Sequence, residues 1–183
     1  MVSALALALA VASLAAPAPR AAPYERPAEL ERVASILALR EAEVRCPSTD
    51  AWVSDPIWGG GSRAWAYTSM TKDYIVLHPV LCAGALAVSN ADVPVWQRGA
   101  GVLVLVHEAY HVRRWAGRWD EAKVECRAIR DLTKAVVLLG GSRELANDLL
   151  PSALAAHLRM GAVFPEYRSR DCKLPVWTPP FSP

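Results

Sequence analysis

The chain has 183 residues, of which 53% are hydrophobic and 21% are charged, a composition typical of one globular domain. Lysine and arginine number 20 against 18 for aspartate and glutamate, and the basic residues are scattered along the sequence. A nucleic-acid surface or a membrane-adsorbing face needs a denser basic patch. We therefore expect neither partner, and we interpret the one basic run, from Arg113 to Arg118, as a solvated helix end.

The first nineteen residues carry no charged side chain and form a leucine- and alanine-rich core followed by small residues and prolines. This order is typical of a secretion signal cleaved after Ala15. An uncleaved membrane anchor is the rival interpretation, but Pro17 and Pro19 leave about 16 apolar residues where about 20 are needed to span a bilayer. The expected order is a signal peptide, a flexible linker and a single secreted domain without stable membrane association, over residues 1–15, 16–27 and 28–183.

Four cysteines lie far apart, at Cys46, Cys82, Cys126 and Cys172, and no CxxC pair marks a zinc ribbon or a redox motif. Disulfides are the default in an exported chain, and four cysteines allow three pairings. We favour Cys46 with Cys82 and Cys126 with Cys172. The second bridge would tie a loop-rich carboxy tail to a helix and contribute about 3 to 4 kcal/mol. The alternative is one bridge and two buried thiols.

The first half of the domain is predicted to contain two helices and a hairpin. Apolar residues at three- and four-residue steps predict an amphipathic helix over residues 28–44, and loop signals fill residues 47–63. Aromatic and β-branched residues over 64–70 and 73–78 predict a short β-hairpin. A short apolar helix over residues 80–88 follows.

The second half is predicted to be helical. Pro94 in a first turn, capped by Asp92, begins a helix that runs to about Trp115. Its Gly99-Ala100-Gly101 step lowers helix propensity, which indicates close packing against a neighbouring element.

Three more helices follow in the prediction. The first runs from about Asp120 to Leu139, the second from Ser142 to about Leu149, and the third from Pro151 to Met160. Beyond Gly161 we expect an extended tail. The fold class is therefore α+β and mostly α-helical, with short edge strands packed on the helix that carries the motif described next.

That helix carries His107-Glu108-Ala109-Tyr110-His111, an HExxH motif. Two histidines four residues apart project from one face of a helix, so both imidazoles can reach one zinc ion at about 2 Å. Glu108 lies beside the metal position, where it can deprotonate a water molecule as the catalytic base. The motif therefore predicts a Zn²⁺ site with His107 and His111 as ligands.

The following helix supplies acids for a third ligand. Glu121 and Glu125 lie one turn apart on one face, so one can bind the metal while the other orients a histidine. We predict Glu121 as the ligand and Glu125 as its helper. Two histidines and one glutamate leave a coordination position for water, as in catalytic zinc sites.

These residues resemble the gluzincin peptidases, in particular minimal gluzincins and metallopeptidases predicted in actinobacteria that read HExxH, a short loop and ExxAEC. The matching residues are His107, Glu108, His111, Glu121, Glu125 and Cys126, with Val124 in place of the commoner alanine. The resemblance extends loosely from Cys46 to Cys172 and includes a Tyr-Arg-Ser-x-x-Cys segment that begins at Tyr167. It implies a minimal zincin-like fold and zinc-dependent peptide hydrolysis, with the hairpin offering an edge strand to an extended peptide. Metzincins are excluded because Arg114 and Gly117 stand where their glycine and third histidine belong.

We therefore expect a secreted zinc metallopeptidase that acts on a peptide or protein substrate. A catalytically silent metal-binding extracellular protein on the same fold is the alternative, and a chance motif on a buried helix is the third possibility. The donor to the oxyanion stays unassigned among Tyr110, Tyr167 and His157. The ordinary interpretation of His78 is a strand-end histidine, that of His157 is a surface or core residue on a distant helix, and that of Trp115 and Trp119 is core packing.

Overall fold

The computed structural model describes residues 24–55, 64–69 and 71–167. It confirms an α+β fold that is mostly helical, with a small sheet and six helices in the described part of the chain. The strands are β1 (Tyr24–Glu25), β2 (Glu43–Pro47), β3 (Ala66–Thr68) and β4 (Tyr74–Leu77). The helices are α1 (Ala28–Ala38), α2 (Thr49–Val53), α3 (Pro79–Leu86), α4 (Val95–Val112), α5 (Glu121–Leu138) and α6 (Arg143–Val163), and a 3-10 turn (Pro165–Tyr167) follows.

Helix α4 is the centre of the domain. Every residue from Arg98 to Val112 is buried, and α1, α3, α5, α6 and the β3–β4 hairpin all pack on this helix. Its buried residues are mostly apolar and surround the helix axis, which is typical of such a central position. The predicted start at Pro94 is correct to one residue, but Asp92 does not cap the helix, because the N-cap is Pro94 itself and no side chain bonds there.

The four strands form one sheet in the order β1-β2-β4-β3. Strand β2 pairs with β4 in parallel, whereas β1 and β3 each pair antiparallel with their neighbours. The predicted hairpin is therefore confirmed as β3 and β4. The predicted helix over residues 80–88 is confirmed as α3.

The prediction of one helix over residues 28–44 is wrong at its carboxy end. Helix α1 ends at Ala38 because Leu39 adopts a left-handed conformation, with φ of 57°. Residues Glu43–Pro47 then alternate between half-buried and buried positions, which is the period of a strand. The predicted linker is also too long at its end, since Tyr24–Glu25 forms β1 against this strand.

The predicted break at Pro151 is wrong as well. Helix α6 continues through Pro151, and the carbonyl that would accept the missing N–H bond belongs to Asn147, four residues earlier. Both residues are exposed, so water can satisfy that carbonyl at low cost. The helix continues to Val163, and a 3-10 turn follows where an extended tail was expected.

The glycines of α4 and α3 allow two backbones to approach closely, as predicted. A Cβ on Gly101 would lie 2.4 Å from the carbonyl oxygen of Leu81, and one on Gly84 would lie 2.2 Å from that of Gln97. The predicted Cys46–Cys82 disulfide is confirmed and ties β2 to α3. Cys126 is also disulfide-bonded, and its predicted partner, Cys172, lies outside the described residues.

No helix in residues 24–55, 64–69 or 71–167 combines the length and the apolarity that a membrane span requires. The predicted signal peptide lies outside the described residues.

Candidate metal centre

Three side chains from α4 and α5 converge on one point. His107 and His111 lie one turn apart near the end of α4, and their Nε2 atoms are 2.9 Å apart. Glu121, the first residue of α5, places Oε2 3.1 Å from Nε2 of His107 and 3.3 Å from Nε2 of His111. These three residues form a group, buried or nearly so, that could hold a metal ion.

The start of α5 fixes the position of Glu121. Asp120 is the N-cap of this helix, and its side chain accepts a hydrogen bond from the N–H of Lys123 at 3.1 Å. Glu121 therefore lies in the first turn, where the positive end of the helix dipole favours a carboxylate. The loop that connects α4 to this cap is short, so the carboxylate returns directly to the face of the two histidines.

The Nδ1 atoms of both histidines form hydrogen bonds outside the group of three ligands. Nδ1 of His107 lies 2.7 Å from Oε2 of Glu125, and Nδ1 of His111 donates to the backbone carbonyl of Arg118. Donation from Nδ1 leaves the lone pair of a neutral imidazole on Nε2. Two lone pairs and the carboxylate of Glu121 then face one another with no donor between them, an arrangement that a cation stabilises.

In the metal-free protein a proton on His107 lies between the imidazole and the carboxylate of Glu121. Burial alone would lower the pKa of His107, but the hydrogen bonds to Glu121 and Glu125 outweigh burial and raise the pKa to about 10. The same hydrogen bonds, opposing burial, hold the pKa of Glu121 well below its usual range and lower that of Glu125 to about 2. A metal ion must therefore displace a proton to bind.

Glu125 is buried between two histidines. Its Oε2 lies near His107, and its Oε1 lies 3.0 Å from Nδ1 of His157, which α6 contributes. The expectation that His157 lies on a distant helix is wrong, because α6 packs against both α4 and α5 and returns to the site. Glu125 occupies the position that its spacing from Glu121 indicated.

Glu108 is buried and held by the β3 strand. The hydroxyl of Thr68 donates to Oε2 of Glu108 at 2.6 Å and lies 3.2 Å from the backbone carbonyl of the same residue. The carboxylate is therefore fixed in one orientation beside His107. His107 and Glu108 line a cavity of about 30 Å³, which has room for a water molecule or two.

Two aromatic rings flank the histidines. Tyr167 stacks on His107 with ring centroids 5.3 Å apart, and Trp119 stacks on His111 at 5.5 Å. The expectation that Trp119 is a core residue is wrong, since its side chain is 45% exposed. Trp115 instead packs against the core, and its indole N–H donates to the carbonyl of Tyr110.

The three candidates for an oxyanion donor have different surroundings. The hydroxyl of Tyr110 donates to Asp131, and His157 is engaged by Glu125. Tyr167 lines the cavity together with Glu108. Burial and the negative charges of Glu121 and Glu108 raise the pKa of Tyr167, so its hydroxyl stays protonated.

His78 lies where the sequence indicated. It is the N-cap of α3, and its Nδ1 accepts a hydrogen bond from the N–H of Val80 at 3.2 Å. It is not part of the metal-binding group, and neither is Cys126.

Thr68, the contact of His157 with Glu125 and the stacking of Tyr167 on His107 are what sequence reasoning missed, although His157 and Tyr167 were among the candidates for the oxyanion donor. All three come from segments remote in sequence from the HExxH motif, so no local spacing identifies them. The only available signals were the position of Thr68 in a predicted edge strand and the place of Tyr167 in the late motif shared with the resembling peptidases.

In comparisons with known proteins, no family model, no curated protein and no solved structure matches this chain. The function is therefore inferred from the geometry of the site and from the resemblance of its motifs.

Metal binding is expected to release protons. At pH 7.5 His107, with a pKa near 10, is protonated in the metal-free protein, so binding of a divalent metal ion should release at least one proton. The apparent affinity should rise with pH as this proton becomes easier to remove. Calorimetric titrations in two buffers of different ionisation enthalpy measure the number of protons, and an observed enthalpy independent of the buffer would contradict the prediction.

Glu125→Gln should weaken metal binding by about 10- to 100-fold, because an amide cannot serve as a charged acceptor for both His107 and His157. Competition with a chromophoric chelator measures the affinity. Glu29→Gln, on the exposed face of α1, is the matched control and should leave the affinity unchanged. Equal affinities for the two variants would show that Glu125 does not support the ligands.

Proposed function

We propose that this protein is an exported zinc-dependent hydrolase, and that it is a metallopeptidase. The observation that carries the proposal is the convergence of His107, His111 and Glu121 on one point, with the carboxylate of Glu108 fixed beside it but outside the ligand group. Neither a structural metal site nor a buried ion pair needs that additional carboxylate. Hydrolysis does, because a water molecule must lose a proton.

Zinc fits the three ligand atoms. Ligands at 2.0 to 2.1 Å from a tetrahedral zinc ion lie about 3.3 Å from one another, close to the 2.9 to 3.3 Å measured between these atoms. Two imidazoles and one carboxylate are also the ligand set of catalytic zinc. Nitrogen donors make magnesium and calcium poor fits, since both prefer oxygen ligands.

Three protein ligands leave one position of a tetrahedron for a small molecule, and the cavity beside His107 provides the room. A bound zinc ion would supply Lewis acidity to a water molecule and to the scissile carbonyl. Glu108 would accept a proton from the water molecule and return it to the leaving amine. Thr68 keeps that carboxylate oriented, and burial keeps competing solvent away from it.

Tyr167 is the residue we assign as the donor to the developing oxyanion. It lies against His107 and lines the same cavity as Glu108. Its raised pKa keeps the phenol protonated, as a hydrogen-bond donor must be. The hydroxyl of Tyr167 hydrogen-bonds to Glu121, a proposed metal ligand, and so lies at the metal centre, whereas Tyr110 is engaged by Asp131 and His157 by Glu125.

A peptide substrate suits the β3 strand at the edge of the sheet. Trp65 and Ser69 bond to β4, so the alternating residues Ala66 and Thr68 direct their backbone groups to the opposite edge. No other strand of the described residues pairs with that edge. An extended peptide could add there and place its backbone beside Glu108. The resemblance to gluzincin peptidases supports the same substrate class.

Export is supported by two features. The leucine- and alanine-rich amino terminus is typical of a secretion signal, and the Cys46–Cys82 disulfide suits an oxidising compartment.

Glu108→Gln should retain zinc and lose turnover. Glu108 is not a ligand, so zinc content should stay near one equivalent, while kcat should fall by about 10²- to 10⁴-fold without the base. Digestion of a peptide library by the exported protein, with and without a chelator, provides the assay, and metal analysis provides the zinc content. Glu121→Gln is the control that should lose zinc as well as activity.

Cleavage that survives the chelator or Glu108→Gln would refute the proposed mechanism. If the zinc-loaded wild type cleaves no peptide, the protein is instead the silent metal-binding alternative.

Thr68→Val should lower kcat by about 10- to 100-fold, because the isosteric side chain keeps the strand but no longer orients Glu108. Zinc content and KM should change little. Thr68→Ser restores the hydroxyl and should recover most of the activity, which a general loss of packing would not allow. A valine variant as active as wild type would exclude the orienting role.

A further inference from the structure

We infer that the cleft beside the metal centre selects peptides with a bulky apolar or aromatic side chain about three residues from the scissile bond, bound in a slot between Trp65 and Trp96. This inference rests on the proposed peptidase function and specifies its substrate class. The slot is built from α4, α6, the β3 end of the hairpin and the start of α3, and none of the slot residues named here is a proposed metal ligand or catalytic group.

Two adjoining cavities, of about 320 and 440 Å³, share the side chains of Trp65, Trp96 and Ala100. Ala100 is 2% exposed and has a small side chain, so it forms a floor between the two indoles. Trp96 is 54% exposed, an unusual position for a tryptophan that serves only the core. A flat apolar side chain fits such a slot, because it can contact an indole on either side and the alanine beneath.

The slot adjoins the metal centre. Trp65 and Ala156 line both the larger slot cavity and the small cavity that contains His107 and Glu108. The small cavity holds only a water molecule or two, whereas the slot cavities are large enough for a bulky side chain. The reacting groups and the space for a side chain therefore lie in separate, neighbouring cavities.

The distance along α4 from the slot to the metal centre indicates which residue of the substrate would occupy the slot. Ala100 precedes His107 by seven residues, about 10 Å along the helix axis at 1.5 Å per residue. An extended peptide advances about 3.3 Å per residue, so the side chain in the slot belongs to the residue about three positions from the scissile bond.

The charge of Arg159, which lines the larger cavity, adds a preference for the residue next to the apolar one. Arg159 is exposed, lines the larger cavity and has no ion pair among the described residues. A carboxylate next to the apolar residue of the peptide would meet this guanidinium, and a lysine there would be repelled. The preferred substrate is therefore an apolar residue followed or preceded by an acidic one.

The experiment measures cleavage and binding separately. Cleavage-site profiling of a peptide library by the zinc-loaded wild type should show aromatic or large aliphatic residues enriched about three positions from the cleaved bond. Fluorescein-labelled peptides with phenylalanine or alanine at that position are then titrated against zinc-loaded Glu108→Gln, with anisotropy as the readout. We expect the phenylalanine peptide to bind at least about tenfold more tightly.

Variants then locate the preference. In the Glu108→Gln background, Trp96→Ala removes a wall of the slot, and Ala155→Leu fills it from the exposed face of α6. Each should reduce the phenylalanine-to-alanine ratio to within about twofold. Val95→Ala, also exposed at the start of α4 but not part of the slot, is the matched control and should leave the ratio unchanged. Arg159→Glu should reverse the preference between an acidic and a basic neighbour.

The outcomes separate the two proposals. Chelator-sensitive cleavage with no apolar preference, or a preference that Trp96→Ala leaves intact, overturns the slot and keeps the peptidase. Binding that depends on Trp96 without any cleavage overturns the peptidase and keeps the slot as a peptide-binding site. Equal binding of the phenylalanine and alanine peptides to every variant would overturn the inference.

Discussion

The burial of polar groups on α4 is the constraint on which the domain depends. The helix is buried from Arg98 to Val112, yet its last two turns carry His107, Glu108 and His111. A buried polar group without a partner costs several kcal/mol. Each of these side chains has a partner from a different element, namely α5, β3 and the loop that joins α4 to α5. The arrangement of elements around α4 is therefore set by polar contacts as well as by apolar packing.

These partners would support the site both with and without a metal ion. Without a metal ion His107 is protonated and donates Nδ1–H to Glu125 and Nε2–H to Glu121, and with a metal ion Nε2 would instead be a ligand. Glu125 remains an acceptor for His107 and for His157 in both states. A metal ion that binds here would therefore replace the proton on Nε2 of His107.

Features of the site that depend on residues close in sequence could be predicted, whereas contacts between residues remote in sequence could not. The spacing of His107 with His111, and of Glu121 with Glu125, depends only on helix geometry, so the sequence suffices to place each pair on one face. The sequence did not reveal that α1 stops at Ala38, because a left-handed leucine at position 39 has no signal comparable to glycine. The contacts of Thr68, His157 and Tyr167 depend on tertiary packing, which local periodicity does not encode.

Helix α6 contributes both to the candidate metal centre and to the proposed slot. At 100° per residue, Ala155 and Arg159 lie on one side of the helix, Ala156 and Met160 follow around its circumference, and His157 lies beyond them. The order matches what each residue contacts: the slot, the cavity beside His107, and then Glu125. Changes on the slot side therefore leave the support of the metal ligands intact. A domain built in this way can vary what it binds without rebuilding the groups that we propose act on it.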